Sequence, residues 1–172
     1  GVGHEGVVGI ALFMGGDTTT SSAVVQTAGQ GYRLCRSALV RAFEQEGQLR
    51  PQLLRYTQVL FAHMAQTSAC HRHHALAPQL CRWLLQHLDR QAGDEMRVTQ
   101  ERIAGMLGVR REGVTEAAGK LQRLGLVRNS RGRITVVDRT GLETRSCECY
   151  RVVKREYDRL LPHVTPDAAA VD

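Results

Sequence analysis

The sequence predicts an α+β fold in which short N-terminal strands precede a run of helices, and the helices lead into a helix-turn-helix followed by a β-hairpin. Three observations carry this reading. Residues 1–36 are rich in glycine and threonine, with short apolar runs broken by turn signals. Beyond residue 38, apolar residues recur at helical spacing. Residues 98–127, VTQERIAGMLGVRREGVTEAAGKLQRLGLV, read as a short helix, a tight turn at Leu107-Gly108-Val109, and a second helix opening on Arg110-Arg111-Glu112-Gly113-Val114-Thr115.

The 172 residues suffice for one domain or two small ones. Lysine and arginine total 23 against 17 acids, a formal net charge of +6, which favours a polyanionic partner. The excess is concentrated between Arg97 and Arg139, where ten basic residues face only Glu101, Glu112, Glu116 and Asp138. No apolar run approaches the roughly 20 residues that span a membrane, and no signal peptide is visible. The five cysteines are scattered without zinc-finger spacing, which fits a reduced, cytoplasmic compartment.

Taken in order, Val7–Phe13, Ala23–Thr27 and Tyr32–Cys35 read as three short strands, separated by turn signals at Gly15-Gly16-Asp17 and Gly29-Gln30-Gly31. Ser37 and Gly47 bracket a short helix over residues 38–46. Pro51 suits the first turn of a long helix to about Ala69. Leu49, Leu53, Tyr56 and Leu60 form a coiled-coil-like stripe on it; Leu54, Phe61 and Ala65 form a second apolar face. Two apolar faces imply two neighbours, read as the β-region and a second copy of the chain; the alternative puts both within one subunit. The stripe is the candidate dimer interface.

A helix over residues 76–90 follows, with Leu80, Trp83, Leu84 and Leu88 on one face. Thr99 caps the first helix of the pair, which ends near Leu107, and the second runs over residues 111–123. Ile103, Ala104 and Leu107 are expected to pack on Val114, Ala117, Ala118 and Leu121. Leu126–Arg128 and Ile134–Val137 then read as a hairpin around Asn129-Ser130-Arg131-Gly132, a wing with a basic tip. Thr140-Gly141-Leu142-Glu143 reads as a capping box opening one last helix to about Leu161, with Leu142, Cys149, Val153, Tyr157 and Leu160 on one face. Residues from Pro162 onward read as a frayed tail. The organisation expected is a partial β-region with a short helix (1–48), a long dimerisation helix (49–70) and a winged DNA-binding region with a C-terminal helix (71–172).

Arginine can donate two hydrogen bonds to guanine, and glutamate can accept one from the cytosine amino group. An Arg-Glu pair at the start of the second helix, with threonine one turn on, therefore has the chemistry of major-groove reading. In isolation Arg111 and Glu112 would read as a solvated charge pair; the basic wing downstream favours DNA. Arg111, Glu112, Thr115 and Glu116 are the candidate base-reading residues. Thr99, Arg110, Lys120, Arg128, Arg131 and Arg133 are the candidate contacts to the DNA backbone.

The winged segment IAGMLGVRREGVTEAAGKLQRLGLVRNSRGRITVVD resembles the Crp/Fnr family of bacterial transcription regulators. EGVVGIALFMGG and AVVQTAGQGYRL resemble the last strands of that family's cyclic-nucleotide-binding-like β-roll, whose first half is absent here, and residues 51–69 resemble its long dimer helix. The resemblance implies a homodimer on double-stranded DNA with an inverted-repeat site, and RNA polymerase as a further partner. It places Arg111, Glu112 and Thr115 where the family reads bases, with Glu116 beside them.

Members that bind cyclic AMP carry a Gly-Glu pair for the ribose and an Arg-Ser pair for the phosphate. Here Gly9 is followed by Ile10, and the phosphate region reads Thr20-Ser21-Ser22, which argues against cyclic AMP. No cofactor is expected, and no effector is identified.

Cys70-His71-Arg72-His73-His74 looks like a metal cluster, but adjacent histidines rarely converge on one ion unless a loop folds around it. The stretch reads instead as a helix junction, and no metal site is expected. Cys147 and Cys149, two apart on a helix, should diverge, leaving Cys149 in the apolar stripe. Cys35, Cys81 and Trp83 read as structural. Paired carboxylates, a P-loop and a nucleophile elbow are absent, so no enzyme is expected. Two rivals to a sequence-specific regulator stay open: a sensor or protein-interaction module with an incidental basic surface, and a non-specific architectural DNA binder.

Overall fold

The computed structural model describes residues 1–16, 18–45 and 47–161. Along the described residues run α1 (Arg36–Glu44), α2 (Leu49–His73), α3 (Leu76–Leu88), β1 (Glu95–Arg97), α4 (Gln100–Leu107), α5 (Arg111–Arg123), β2 (Val127–Ser130), β3 (Arg133–Val136), α6 (Arg139–Arg145) and α7 (Cys149–Leu160). The strands form one antiparallel sheet in the order β1-β3-β2. The turn read at Asp17 and the tail from Pro162 lie outside the described residues.

The three N-terminal strands expected from sequence do not form. Among the described residues, 1–35 hold only a single 3-10 turn at Ile10–Leu12. A strand persists only where a neighbour takes its backbone groups, and no described strand pairs with this region. Val24, Val25, Tyr32 and Leu34 are exposed. The segment is fastened by side chains instead. Glu5 accepts from Arg90 Nε at 2.9 Å, and Phe13 stacks on Phe43 of α1 at a centroid distance of 5.2 Å.

The long helix α2 packs on α1 and along α7. This divides the predicted dimer stripe. Leu53 and Tyr56 are buried within the chain, Leu60 is half-buried and only Leu49 stays open. The second apolar face is the uncovered one: Leu54 and Phe61 are each 49% exposed, Ala65 is exposed, and Met64 beside them is 54% exposed.

Helix α3 is the hub. Every residue from Gln79 to Gln86 is buried, so this helix is enclosed rather than one-sided. Leu80, Leu84, Leu85 and Leu88 join Met96 of β1, Ile103 and Leu107 of α4, Val114 and Leu121 of α5, and Ile134 and Val136 of β3 in one core. Each fully buried leucine contributes roughly 1.5–3 kcal/mol. Strand β1, three residues long and missed from sequence, closes the sheet by pairing Met96 with Ile134.

The last helix is two helices. Asp138, not the Thr140 capping box, caps α6: its Oδ1 accepts from Gly141 N at 2.8 Å. The chain leaves the helix at Ser146, whose Oγ donates to Glu143 O at 2.9 Å, and restarts at Cys149. Leu142, Cys149 and Val153 are buried as the stripe predicts, while Tyr157 and Leu160 are half-buried.

His63 of α2 faces α7, with Nδ1 3.4 Å from Tyr157 Oη. Burial, reinforced by the positive charges of Arg90 and Arg82, pushes its pKa down to about 4, against about 6.5 in an unfolded chain. The unfolded imidazole therefore takes a proton at pH values where the folded one stays neutral. This contribution to stability is complete above about pH 6.5 and is lost as the pH falls toward 4. The urea midpoint is accordingly expected to be lower at pH 5 than at pH 7, with a smaller difference in His63→Gln. An equal difference in the variant would place the titration on another group.

Candidate nucleic-acid interface

Helices α4 and α5 meet as their apolar periodicity dictates. Ile103, Ala104 and Leu107 lie buried with Val114, Ala117, Ala118 and Leu121. Thr99 caps α4, its side chain accepting from Arg102 N at 3.2 Å. Gly108 ends α4 in the left-handed conformation, φ +67°, which glycine adopts without a Cβ clash. This bend orients α5 so that its polar face points outward.

On that face Arg111, Glu112, Thr115, Glu116, Lys120 and Arg123 are all exposed. Among the described residues, Thr115 is the one base-reading candidate whose side chain is hydrogen-bonded within the chain. Its hydroxyl faces Gln100 Oε1 at 2.6 Å and the Arg111 carbonyl at 3.1 Å, and can donate to one at a time. Gln100, the first residue of α4, thus joins the polar surface. Sequence reading passed over it because it lies just inside the first helix, not on the second; the signal was its place beside the Thr99 cap.

Arg131 and Gly132 form the two-residue tip of the wing, since Ser130 pairs with Arg133 across it. Gly132, the second of the two, holds φ at +67°, the position of such a turn where glycine is favoured. The wing is anchored to α5 by Asn129, whose Nδ2 donates to Ala118 O at 3.2 Å and whose backbone N–H donates to Gln122 Oε1 at 2.9 Å. Among the candidate backbone contacts, Arg110, Lys120, Arg128 and Arg131 are exposed. Arg133 is shared with Glu95 of β1 at 3.4 Å.

The fold brings part of the predicted site into one groove of about 340 Å³, lined by Thr99, Gln100, Glu101, Arg111, Asn129, Ser130, Arg131 and Arg133 among others. The starts of α4 and α5 and the wing tip therefore converge. Helix starts present unpaired backbone N–H groups and a positive dipole end, which favour phosphate. Glu112, Thr115, Glu116, Arg110, Lys120 and Arg128 lie outside this groove. Gly9 and Ile10, where a ribose carboxylate would be needed, belong to the 3-10 turn, and Thr20, Ser21 and Ser22 are exposed.

Away from this surface the structure revises the cysteine reading. Because Ser146 leaves the helix, Cys147 and Cys149 do not diverge. Both converge with Cys70 and His74 of the α2 terminus, and the four donor atoms lie within 4.8 Å of one another.

Residues 78–145 match the Crp-like helix-turn-helix domain family, so the chain carries a Crp-like helix-turn-helix domain. A CRP-family transcriptional regulator from Thermus thermophilus is 25% identical, with a TM-score of 0.51 and coverage of 62% of this chain and 57% of that one. A second regulator from the same organism, of the CRP/FNR family, is 21% identical, with a TM-score of 0.52 and coverage of 60% and 56%; its likeness is one of fold. The chain spans little more than half the length of either structure. No curated protein matches it in sequence. Among the described residues no helix is long and apolar enough to cross a membrane.

The anchoring of the wing is directly testable. Asn129→Ala removes its side-chain bond to α5 and should cost about 0.5–1.5 kcal/mol, with faster amide exchange in β2 and β3. Unchanged exchange would mean that the sheet alone fixes the wing.

Proposed function

We propose that this chain is a sequence-specific, dimeric regulator of transcription that reads double-stranded DNA with α5 in the major groove. The observation that supports it most is the convergence of the α5 start, the α4 start and the wing tip in one groove, within the segment that matches a Crp-like helix-turn-helix domain. Arg111, Glu112, Thr115 and Glu116 read base edges in this proposal. Thr99, Gln100, Arg110, Lys120, Arg128, Arg131 and Arg133 hold the phosphate backbone. A protein acting on genomic DNA in this way works in the cytoplasm, with no catalysis assigned to it.

The two carboxylates support base reading over non-specific binding. Glu112 and Glu116 are exposed on the presented face of α5, where they repel any phosphate backbone. They compensate only opposite a donor such as the cytosine amino group.

The dimer in this proposal forms through the open face of α2, Leu54, Phe61 and Met64, meeting its own copy about a two-fold axis. Two reading helices about one DNA turn apart imply half-sites roughly 10 bp apart, centre to centre.

Selection of bound duplexes from a random library at near-physiological salt is expected to recover an inverted repeat. Retention without sequence preference would support the architectural rival, and no retention the protein-interaction one. Arg111→Ala should cost about 1–3 kcal/mol and relax one base position. Arg131→Ala should weaken all sequences alike and lower the salt slope by about 1. A preferred sequence left intact by Arg111→Ala would refute the base-reading assignment.

Phe61→Glu should give a monomer by light scattering, whereas Leu49→Glu should leave the dimer. The reverse pattern would return the interface to the stripe.

A further inference from the structure

The α2 terminus and the α6–α7 junction, 75 residues apart in sequence at His74 and Cys149, place three thiols and an imidazole in one buried cluster. Cys70 Sγ lies 3.5 Å from Cys147 Sγ, and Cys149 Sγ lies 3.4 Å from His74 Nδ1. All the cysteines are free thiols. Cys70, Cys147 and Cys149 are 0%, 7% and 1% exposed. Tetrahedral zinc, with bonds of about 2.3 Å to sulfur and 2.0–2.1 Å to nitrogen, spaces its donors roughly 3.5–3.8 Å apart. These two separations lie close to that spacing, and all four donor atoms lie within 4.8 Å of one another.

We propose that Cys70, His74, Cys147 and Cys149 bind a single zinc ion as a closed structural site that fastens α2 to the α6–α7 junction.

The surroundings fit this assignment in three independent ways. First, His74 Nε2 lies 3.2 Å from Glu148 Oε1. A carboxylate there fixes the proton on Nε2, orients the ring and leaves the Nδ1 lone pair for the metal. Second, Gln66 Nε2 donates to Cys149 Sγ at 3.1 Å, a hydrogen bond of the kind that holds a metal-ligating sulfur in place. Gln79 Nε2 donates to the carbonyls of His74, at 2.7 Å, and Cys70, at 3.4 Å, holding the backbone of both α2 ligands.

Third, the charges balance. Zinc with three thiolates and a neutral imidazole carries one net negative charge. Arg82, 2% exposed, lies close enough to Cys70 for its positive charge to oppose the upward push that burial gives the Cys70 thiol. Its Nη1 donates to Thr67 Oγ1 at 3.0 Å, its Nε has no partner, and it forms no ion pair among the described residues. A buried guanidinium without a counter-charge is strongly unfavourable, and an anionic metal centre supplies that counter-charge.

Ligand chemistry selects the ion. Thiolate and imidazole donors suit zinc, and four protein ligands leave no position for water or substrate. A cluster of two or more irons interposes bridging atoms and spreads its ligands farther apart than this set. Binding drives off the three thiol protons as Cys70, Cys147 and Cys149 become thiolates, so affinity falls with acidification.

The full chain, expressed with zinc and dialysed, should retain about one zinc ion by elemental mass spectrometry. Cobalt exchanged into it should give the intense visible bands of a tetrahedral thiolate site. Zinc should be lost in Cys149→Ser and kept in Cys81→Ala, a buried cysteine outside the set. Glu148 is a positioning residue on the surface, and Glu148→Gln should weaken zinc about tenfold or more against a chromophoric chelator, with the fold intact. If Cys149→Ser fails to fold, the cobalt spectrum of the wild-type chain decides alone. Wild-type protein without stoichiometric zinc and without the cobalt bands, iron in place of zinc, or an unchanged metal content in folded Cys149→Ser would each overturn the proposal.

Discussion

The enclosure of α3 is the constraint on which the rest of the molecule depends. A helix normally leaves one side to solvent, yet Gln79–Gln86 are buried without a break. Leucines on one side of α3 build the core shared with α4, α5 and the sheet. Its polar residues face the other way. Gln79 holds the end of α2, and Arg82 reaches Thr67 of α2. Helix α5 and the long helix α2 are thus related through one intermediary. Displacing α3 would expose an apolar core and strand buried polar groups, and both carry a large free-energy cost.

The helix-turn-helix was legible because its signals are local. A cap at Thr99, a glycine at Gly108 and apolar spacing on both sides leave little freedom, and the bounds of α5 agree with the sequence reading. The wing was legible for the same reason. The N-terminal strands failed because strand formation is a pairwise property, which apolar runs alone do not report. Strand β1 was missed because three residues carry almost no periodicity. On α2 both apolar faces were visible, but which one the chain itself covers depends on α1 and α7, elements whose packing no local pattern encodes.

The cysteine cluster was hidden by a single wrong inference about local geometry. Two cysteines at spacing two diverge only if both are helical. Ser146 ends α6 and returns its hydroxyl to the Glu143 carbonyl, and Cys147 then lies between helices, free to meet Cys70. The partner ligands are 77 residues away at Cys70 and Cys147, beyond any motif spacing. The histidine run did mark one half of the cluster; the other half existed only once the chain had folded back.

The two ends of the α2–α7 contact are secured by different chemistry. At one end the cysteines and His74 gather around the α6–α7 junction. At the other, His63 of α2 lies 3.4 Å from Tyr157 Oη, and Arg90, two residues beyond α3, stacks over the same ring at 5.0 Å and pairs with Glu5. A contact fixed at both ends resists rotation of α7 about α2 far better than one held at a single point. Tyr150 of α7 extends the restraint, bonded to Asp89 after α3 and to Arg139 of α6. In the proposed dimer the outer face of α2 sets the spacing between subunits, while its inner face sets the pose of the winged region. Under that proposal a half-site spacing is read only if both faces belong to one rigid body, and the zinc site proposed at the cysteine end is one of the two places that hold it together.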